Sequence, residues 1–318
     1  MKICILDAKT LGSDIDLAPI QACGELTVYS LTSMDEIEER VKDVEVIITN
    51  KVVLNEETLK GAKNLKLIAL TATGYNNVDL EYASSRGIGV ANVAGYSTKS
   101  VTQHTFAMLF QILEQLSFYD QYVKSKAYVT SDTFAYIEKS FYEIAGKTWG
   151  IIGMGAIGKE VAKIAEAFGA KIVYYSTSGQ NNSVAYEKLE LEMLLTSCDI
   201  VSIHAPLNEK TQNLIGYKEL AKMKKSAILL NLGRGGIVNE LDLAKALNED
   251  LIRGAALDVL TKEPIDKESS LYTIEDASKW LVTPHIAWAS IEARTLLVKE
   301  VVDNIEAFYN EEVRNRIV

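Results

Sequence analysis

The chain has 318 residues, of which 48% are hydrophobic and 24% charged, a composition typical of a globular protein of about two domains. A formal net charge of −10 disfavours nucleic acid or an anionic membrane as a partner, because both are negatively charged themselves. Cys4, Cys23 and Cys198 are odd in number and lack metal-ligand spacing, which is typical of reduced thiols. We therefore expect no metal site. Neither a signal peptide nor a membrane-spanning apolar run is found, so we expect a cytoplasmic protein.

Short apolar segments alternate with amphipathic ones through most of the chain, which predicts an α/β fold with parallel sheets. Before the middle of the chain, strands are predicted over residues 3–6, 26–29, 44–49, 67–72 and 90–93, and helices over 34–41, 80–86 and 97–124. In the second half, strands are predicted over residues 149–152, 171–175, 200–204, 227–232, 255–259 and 280–283. Helices are predicted there over residues 159–168 and 291–310.

Residues 118–142 interrupt this alternation. Eight aromatic residues lie in the segment: Phe118, Tyr119, Tyr122, Tyr128, Phe134, Tyr136, Phe141 and Tyr142. Such aromatic density in an irregular segment predicts a subunit interface, and we expect a homodimer. The alternative is a loop that packs on its own chain.

The segment GMGAIG at residues 153–158 follows a predicted strand and opens a predicted helix. That order is typical of a dinucleotide-binding βαβ unit, in which the first glycine permits a tight turn and the second lets the backbone approach a pyrophosphate. The third glycine allows close packing of helix and strand, and amides at the helix N-terminus meet the phosphates. Glycine turns also serve plain packing, but the flanking strand and helix favour a nucleotide site.

Three charged side chains follow successive predicted strands of the second half. Arg234 lies in NLGRGG at residues 231–236, Glu263 in LTKEP at 260–264, and His285 in TPHIAW at 283–288. Because ligands of an open parallel sheet bind outside the carboxyl ends of its strands, we expect all three beside the glycine turn.

These residue types suit one reaction. The arginine fork binds a carboxylate or carbonyl oxygen at two points, histidine exchanges a proton near neutral pH, and a carboxylate beside a histidine orients its ring and stabilises the imidazolium. Together they suit reduction of a carbonyl next to a carboxylate, with hydride from a nicotinamide and a proton from the histidine. Taken singly, Arg234 or Glu263 is equally consistent with a surface ion pair, and His285 with a core histidine. We expect His104 to lie in the core and His204 to be structural rather than to line the cofactor site.

Several segments resemble the D-isomer-specific 2-hydroxyacid dehydrogenase family, and the similarity extends through almost the whole chain. They are TGYNNVD at residues 73–79, NVAGYS at 92–97, SVTQHT at 100–105, GKTWGIIG at 146–153, LDV at 257–259, and the motifs around Arg234, Glu263 and His285. The resemblance implies two Rossmann-like domains, each a doubly wound parallel sheet, with an inter-domain cleft. Residues 98–286 would then bind the dinucleotide, and residues 1–97 and 287–318 would form a discontinuous substrate domain.

The resemblance also implies roles for single residues. Arg234 would orient the substrate, Glu263 and His285 would form the acid/base pair, and Asp258 would contact the nicotinamide amide. The substrate-binding residues would be Lys51, Thr73, Gly74, Arg234 and His285, with the amides near Thr73 and Gly74 receiving the substrate carboxylate. The cofactor-binding residues would be Gly153, Gly155, Ala156, Ile157, Gly158, Ser176, Thr177, Ala205, Pro206, Thr211, Leu232, Gly233 and Asp258.

Residues 50–53 (NKVV) and 286–290 (IAWAS) resemble the glycerate dehydrogenase, or hydroxypyruvate reductase, branch of the family. We therefore expect an oxidoreductase that interconverts a small 2-oxoacid and a D-2-hydroxyacid. The alternatives are a D-lactate-type dehydrogenase of broader range and a non-catalytic NAD-sensing binding protein. Formate enzymes of this scaffold pair their histidine with glutamine, and phosphite enzymes carry lysine where Thr73 stands, so Glu263 and Thr73 disfavour both.

The expected determinant of cofactor choice is missing. NAD-dependent members usually carry an acidic residue about 20 residues after the fingerprint, where it binds the ribose hydroxyls. Here the strand over residues 171–175 leads into STSG at residues 176–179, and no lysine or arginine lies between Lys171 and Lys188 to neutralise a 2′-phosphate. We expect NAD, with NADP as the open alternative.

Overall fold

The computed structural model describes residues 1–180 and 185–318. Within them the chain forms two compact units, one comprising residues 1–97 and 288–318 and the other residues 98–287. Each unit is a parallel β-sheet with helices, which confirms the predicted α/β class. No helix in the described part of the chain combines the length and the apolar character needed to cross a bilayer.

The described residues contain twelve strands and eleven α-helices. The strands are β1 (Lys2–Ile5), β2 (Glu25–Val28), β3 (Val46–Thr49), β4 (Leu67–Leu70), β5 (Gly89–Ala91), β6 (Thr148–Ile152), β7 (Lys171–Tyr175), β8 (Glu187–Lys188), β9 (Ile200–Ile203), β10 (Ile228–Asn231), β11 (Gly254–Leu257) and β12 (Trp280–Val282). The helices are α1 (Ala18–Gln21), α2 (Met34–Val41), α3 (Glu56–Leu59), α4 (Leu80–Ser85), α5 (Thr98–Leu113), α6 (Leu116–Lys124), α7 (Ala156–Ala167), α8 (Leu191–Ser197), α9 (Tyr217–Leu220), α10 (Glu240–Asn248) and α11 (Ile291–Tyr309). Short 3₁₀ helices lie at Ala8–Leu11, Ala127–Thr130, Ser270–Thr273 and Ala277–Lys279.

The sheet of the first unit has the order β2-β1-β3-β4-β5, with all strands parallel. Its central strands β3 and β4 are buried along their whole length, as continuous apolar runs predict. The last residues of the chain add to this sheet, since Arg316 forms an antiparallel bridge with Ala91 and the Ile317 amide donates to the Val90 carbonyl at 2.7 Å. The chain therefore returns to its first unit by helix α11 and this terminal pairing.

The sheet of the second unit has the order β12-β11-β10-β9-β6-β7-β8 and is also parallel. The chain enters at β6, runs outward to β8, and then crosses back to β9 on the other side of β6. This reversal between β6 and β9 is a topological switch point, the place where open α/β sheets bind ligands. The GMGAIG turn lies there.

The single helix predicted over residues 97–124 is wrong, because the structure has two helices, α5 and α6. The break lies at Gln115, whose backbone is left-handed with φ 55°. Its side-chain amide donates to the Ile112 carbonyl at 2.7 Å and so takes the place of the next helical turn. A side chain that ends a helix in this way leaves no periodicity signal.

The aromatic segment packs partly on itself. The Tyr122 and Tyr136 rings stack with centroids 3.9 Å apart, and Phe118 stacks on Tyr136 at 6.2 Å. Its outer apolar side chains are nevertheless exposed, with 93% of Phe134 and 84% of Ile137 open to solvent. The loop alternative therefore accounts for the inner aromatic rings and leaves the outer side chains unexplained.

The three cysteines are unpaired, and Cys4 and Cys198 are buried. Burial raises the pKa of both thiols to about 12. Since the thiolate is the reactive form, these two cysteines are inert side chains of the core.

Candidate active site

The register of the second sheet aligns the ends of its strands. One row of paired residues crosses the sheet: Tyr175, Ile152, Ile203, Asn231, Leu257 and Val282. The residues that directly follow this row include Ser176, Gly153, Leu232 and Asp258, all predicted to bind the cofactor. Arg234 and His285 each follow the row by three residues. The predicted site residues of this unit therefore leave the sheet at one edge.

The glycine turn requires its glycines for separate reasons. Gly153 has φ +97°, and a Cβ there would lie 2.7 Å from the Ala205 amide nitrogen across the switch point. A Cβ on Gly158 would lie 2.3 Å from the Gly153 carbonyl oxygen, so helix α7 packs directly on the turn. A Cβ on Gly155 would meet nothing within 4 Å. Of the three glycines, only Gly155 faces open space, at the N-terminus of α7, where a phosphate group fits.

Two buried polar groups beside the turn lack partners. The Ser176 hydroxyl and both ring nitrogens of His204 are inaccessible to solvent and bind no other described residue. Burial lowers the pKa of His204 to about 3, so the ring is neutral near pH 7. Buried polar groups are normally hydrogen-bonded, and unpartnered ones on both sides of the glycine turn fit a nucleotide that would engage them. The expected structural role of His204 stays a prediction: the ring is buried, but no described residue binds either of its nitrogens.

Glu263 and His285 form the predicted pair. The Nδ1 atom of His285 lies 2.7 Å from Oε2 of Glu263, and the Leu260 amide donates to Oε1 of the same carboxylate at 2.9 Å. Both side chains are partly exposed, at 25% for the histidine and 34% for the glutamate. The pair is therefore oriented by the chain and accessible to a substrate.

Arg234 lies on the loop after β10 and is exposed. Its Nη1 atom donates to the Gly233 carbonyl at 2.9 Å, and its own carbonyl accepts from the buried Asn231 side chain at 3.0 Å. A Cβ on Gly235 would lie only 1.9 Å from the Leu260 carbonyl oxygen, so this loop presses against the loop that carries Glu263. Asn231 and Gly235 thus fix the arginine loop. The NLGRGG segment contains both residues, but their roles depend on contacts that the sequence does not show.

Asp258 holds the turn that carries His285. The buried carboxylate accepts from the Thr283 hydroxyl at 2.6 Å, the Ile286 amide at 2.9 Å and the Ala287 amide at 2.9 Å. These bonds bracket His285, whose backbone is left-handed with φ 55°, an unfavourable conformation for a residue other than glycine. The arrangement favours a positioning role for Asp258 over the expected contact with the nicotinamide amide.

His104 belongs to the same network. Its Nε2 atom lies 3.0 Å from the Thr283 hydroxyl, which in turn donates to Asp258. Its side chain is 22% exposed, so His104 lies at the margin of the core and has a polar partner there. Its polar partner comes from a segment 179 residues away along the chain.

Other cofactor candidates lie on the loops that follow β9 and β10. Gly233 packs against Ala205, since a Cβ on the glycine would lie 2.6 Å from the Ala205 carbonyl oxygen. Thr211 is fully buried, and its hydroxyl donates to the Pro206 carbonyl at 2.7 Å and accepts from the Asn208 amide at 2.8 Å. Thr211 therefore shapes this loop, and its hydroxyl is not a spare group for a nucleotide.

The predicted substrate residues of the first unit lie beyond the carboxyl ends of β3 and β4. The buried Asp7 carboxylate accepts from the Lys51 amide at 2.8 Å and the Asn50 amide at 3.0 Å, which fixes the loop of Lys51. The Thr73 hydroxyl donates to the Val93 carbonyl at 2.8 Å, whereas the amides of Thr73 and Gly74 donate to no other described residue. These two amides are donors available to an anion.

Comparison with known proteins agrees with this geometry. Residues 106–287 match the NAD-binding domain of the D-isomer-specific 2-hydroxyacid dehydrogenases. The chain is 39% identical to a glycerate dehydrogenase of Methylorubrum extorquens, with 96% of each protein covered, and 36% identical to a hydroxypyruvate reductase of Blautia hydrogenotrophica, with 97% of each covered. A solved structure of an acyclic imino acid reductase in complex with NADPH and D-Arg superposes over the full length of both chains with a TM-score of 0.88 at 28% identity.

The sheet edge, the glycine turn and the Glu263–His285 pair occur together in a chain whose relatives match from end to end. The predicted family is therefore confirmed, as is its oxidoreductase chemistry with a nicotinamide cofactor. The chain belongs to the D-isomer-specific 2-hydroxyacid dehydrogenase family.

Proposed function

We propose that this enzyme reduces hydroxypyruvate or glyoxylate to the corresponding D-2-hydroxyacid or glycolate, with His285 as the proton donor. The observation that carries the proposal is the 2.7 Å contact between His285 Nδ1 and Glu263 Oε2 at the sheet edge of the glycine turn. The similarity to a glycerate dehydrogenase and a hydroxypyruvate reductase supports this choice of substrates.

The ring geometry assigns the proton. Because Nδ1 faces the Glu263 carboxylate, Nε2 is the nitrogen that can donate to the oxygen of a substrate carbonyl. When bound, a reduced nicotinamide supplies the hydride that adds to C2, so the carbonyl oxygen takes the His285 proton and becomes a hydroxyl. Glu263 stabilises the charged imidazolium before this transfer and holds the ring in place.

Arg234 would bind the oxyacid end of the substrate. One guanidinium nitrogen binds the Gly233 carbonyl, and no other described residue engages the remaining donors, which suit a carboxylate or carbonyl oxygen. We assign the substrate carboxylate to the amides of Thr73 and Gly74, with Lys51 as a further contact. The absence of described partners for these amides supports that assignment.

We propose that the nucleotide lies on the turn at Gly153, Gly155 and Gly158, with its adenosine ribose at Ser176 and Thr177. The unpartnered Ser176 hydroxyl accepts or donates a bond equally well and does not repel a 2′-phosphate. We infer that NAD is the preferred cofactor, with NADP as the alternative. Of the remaining predicted cofactor residues, Ala156 and Ile157 begin helix α7, and Leu232 directly follows β10.

We further propose that two copies associate through the exposed apolar side chains of residues 118–142. The exposure of Phe134 and Ile137 supports this surface, because monomeric proteins rarely leave such side chains together in water. Double substitution of both residues by serine converts the dimer to a monomer in sedimentation analysis. An unchanged sedimentation coefficient contradicts the proposal.

The free cysteines support the expected cytoplasmic location.

The decisive assay is the initial rate of reduction of hydroxypyruvate, glyoxylate, pyruvate and bulkier 2-oxoacids, each with NADH and with NADPH. We expect the first two to give the highest kcat/KM, and we expect His285→Ala and Arg234→Ala to lower it by about 100-fold or more. Highest activity on pyruvate or bulkier acids indicates the D-lactate-type alternative. Tight NADH binding without turnover of any 2-oxoacid indicates the non-catalytic alternative. Near wild-type turnover in both variants refutes the assigned roles.

A further inference from the structure

The turn at Thr73 and Gly74 is tied to the segment that follows β5. The Asn92 side-chain amide donates to the Thr73 carbonyl at 2.6 Å, and the Thr73 hydroxyl donates to the Val93 carbonyl at 2.8 Å. The Val93 amide in turn donates to the Ala72 carbonyl at 3.0 Å. These bonds engage the carbonyls and the hydroxyl of the turn, while the amides of Thr73 and Gly74 keep no described partner. The turn is therefore held by its acceptors and leaves its donors for a ligand.

Asn92 is itself held by the end of the chain. Its carbonyl accepts from the Asn304 side chain on α11 at 3.0 Å, and its amide donates to the Asn315 carbonyl at 3.2 Å. The Asn315 side chain donates to Oδ1 of Asn304 at 3.0 Å and closes the network. Asn92 and Asn304 are buried, with 8% and 2% of their surface exposed. Three asparagines from distant parts of the sequence thus satisfy one another around a single backbone position.

Burial of these amides has an energetic consequence. A buried amide without partners is destabilising, so the network is stable only when every member keeps its place. Apolar side chains would fill the same space without fixing the direction of any hydrogen bond. The network therefore fixes the position of the Thr73 carbonyl. The left-handed backbone of Asn315, with φ 49°, is part of this arrangement, because it turns the terminal segment toward β5.

We propose that Asn92, held by Asn304 and Asn315, is a positioning residue for the turn that receives the substrate carboxylate, so that the C-terminal segment sets the affinity for the 2-oxoacid. The inference rests on the proposed role of Thr73 and Gly74. Asn92 acts through the turn and touches no substrate. Loss of one buried hydrogen bond loosens the turn, and an anion site that depends on two amides loses affinity when their spacing is no longer fixed.

The test uses Asn92→Ala and Asn315→Gly in the full chain. Asn92→Ala removes the donor to Thr73, whereas Asn315→Gly removes only the side-chain donor to Asn304 and suits the left-handed backbone, so it is the variant expected to fold in every case. Ser33→Ala is the matched control, because it removes the capping box of α2 in the same unit and makes no contact with the network. The measurements are KM for glyoxylate and hydroxypyruvate, the inhibition constant of oxalate, KM for NADH, kcat and Tm.

We expect KM for both 2-oxoacids and the inhibition constant of oxalate to rise about tenfold in Asn92→Ala and less in Asn315→Gly, which corresponds to one hydrogen bond. KM for NADH stays within twofold, and Ser33→Ala lowers Tm without changing either KM. Substrate constants within twofold of wild type in both folded variants overturn the inference and leave the proposed function intact. A parallel rise in KM for NADH also overturns it, because it indicates general loosening. A wild-type enzyme that neither reduces 2-oxoacids nor binds oxalate overturns the proposed function and this inference together.

Discussion

The second glycine of the turn gives the sharpest test of where the nucleotide binds. Gly155 has an extended backbone with φ −80° and ψ −160°, which alanine also adopts, and the added Cβ would meet no protein atom within 4 Å. In the absence of nucleotide, Gly155→Ala therefore changes stability only through backbone entropy, which favours alanine by about 0.4–1 kcal/mol, and through helix capping, which favours glycine by a similar amount. We expect the net change to stay below about 1 kcal/mol, or about 3 °C in Tm.

The nucleotide-bound state is different, because the methyl group would occupy the open space in front of Gly155. Loss of one charge-assisted hydrogen bond between the helix N-terminus and a phosphate costs about 1.5–3 kcal/mol, or roughly 10- to 100-fold in affinity. We therefore expect the Kd for NADH and for NADPH to rise by that factor in Gly155→Ala. Titration of the protein fluorescence with each nucleotide measures Kd, and differential scanning fluorimetry of the apoprotein measures Tm.

Two further glycines serve as controls. A Cβ on Gly61 would meet only the flexible Glu38 side chain, at 3.2 Å, so Gly61→Ala keeps both Tm and nucleotide affinity. A Cβ on Gly158 would meet backbone at 2.3 Å, so Gly158→Ala lowers both. The reasoning is refuted when Gly155→Ala binds NADH with wild-type affinity, or when it loses stability in the apoprotein as Gly158→Ala does.

The other predictions concern the loops of the same edge. Gly235→Ala must move the arginine loop away from Leu260. A displacement of about 1 Å at an active site lowers the rate on the order of 100-fold, so we expect kcat/KM to fall by that factor with a small change in nucleotide affinity. Unchanged kinetics contradict the contact between the two loops. The pKa of His204 is about 3 in the folded chain against an ordinary value of 6.5, so the unfolded chain binds the proton first and stability falls as pH drops from 6.5 toward 3. At pH 5 this loss of unfolding free energy is about 2 kcal/mol, and His204→Gln removes it. Urea unfolding midpoints at pH 7.5 and pH 5 measure the effect. Equal acid sensitivity of the wild type and the variant contradicts the assignment of the loss to His204. Ser176→Asp places a carboxylate where a 2′-phosphate would lie, so we expect KM for NADPH to rise about tenfold or more while KM for NADH does not. An equal effect on both cofactors contradicts the assigned ribose position.

Local patterns predicted most of the sheets. The buried strands β3 and β4 are continuous apolar runs, and the helix predicted over residues 34–41 has the bounds of α2, because a capping box at Ser33 and Glu36 marks its start. The two-residue strand β8 was not predicted, since its exposed residues carry no pattern. The break at Gln115 was missed for a related reason, because a side chain that caps its own helix has no periodicity.

The candidate catalytic residues could also be predicted from the sequence. Arg234, Glu263 and His285 follow apolar strands, and in a parallel sheet the ends of successive strands lie at one edge whatever the rest of the fold does. The residues that position these side chains could not be predicted from the sequence. Gly235 acts through a contact with Leu260, and His104 acts through Thr283 and Asp258, which come from segments far away along the chain.

The fold class, the glycine turn and the candidate site residues could be predicted from local sequence. Strand periodicity, glycine conformation and the chemistry of arginine, glutamate and histidine are properties of a residue and its near neighbours. Which buried polar groups are hydrogen-bonded within the described chain, and which are not, depends on the three-dimensional fold. The Asp258 carboxylate and the Thr211 hydroxyl are engaged by the chain, whereas the Ser176 hydroxyl and the His204 ring are not. That distinction depends on burial and on partners that folding brings together from distant segments, and no local pattern contains it.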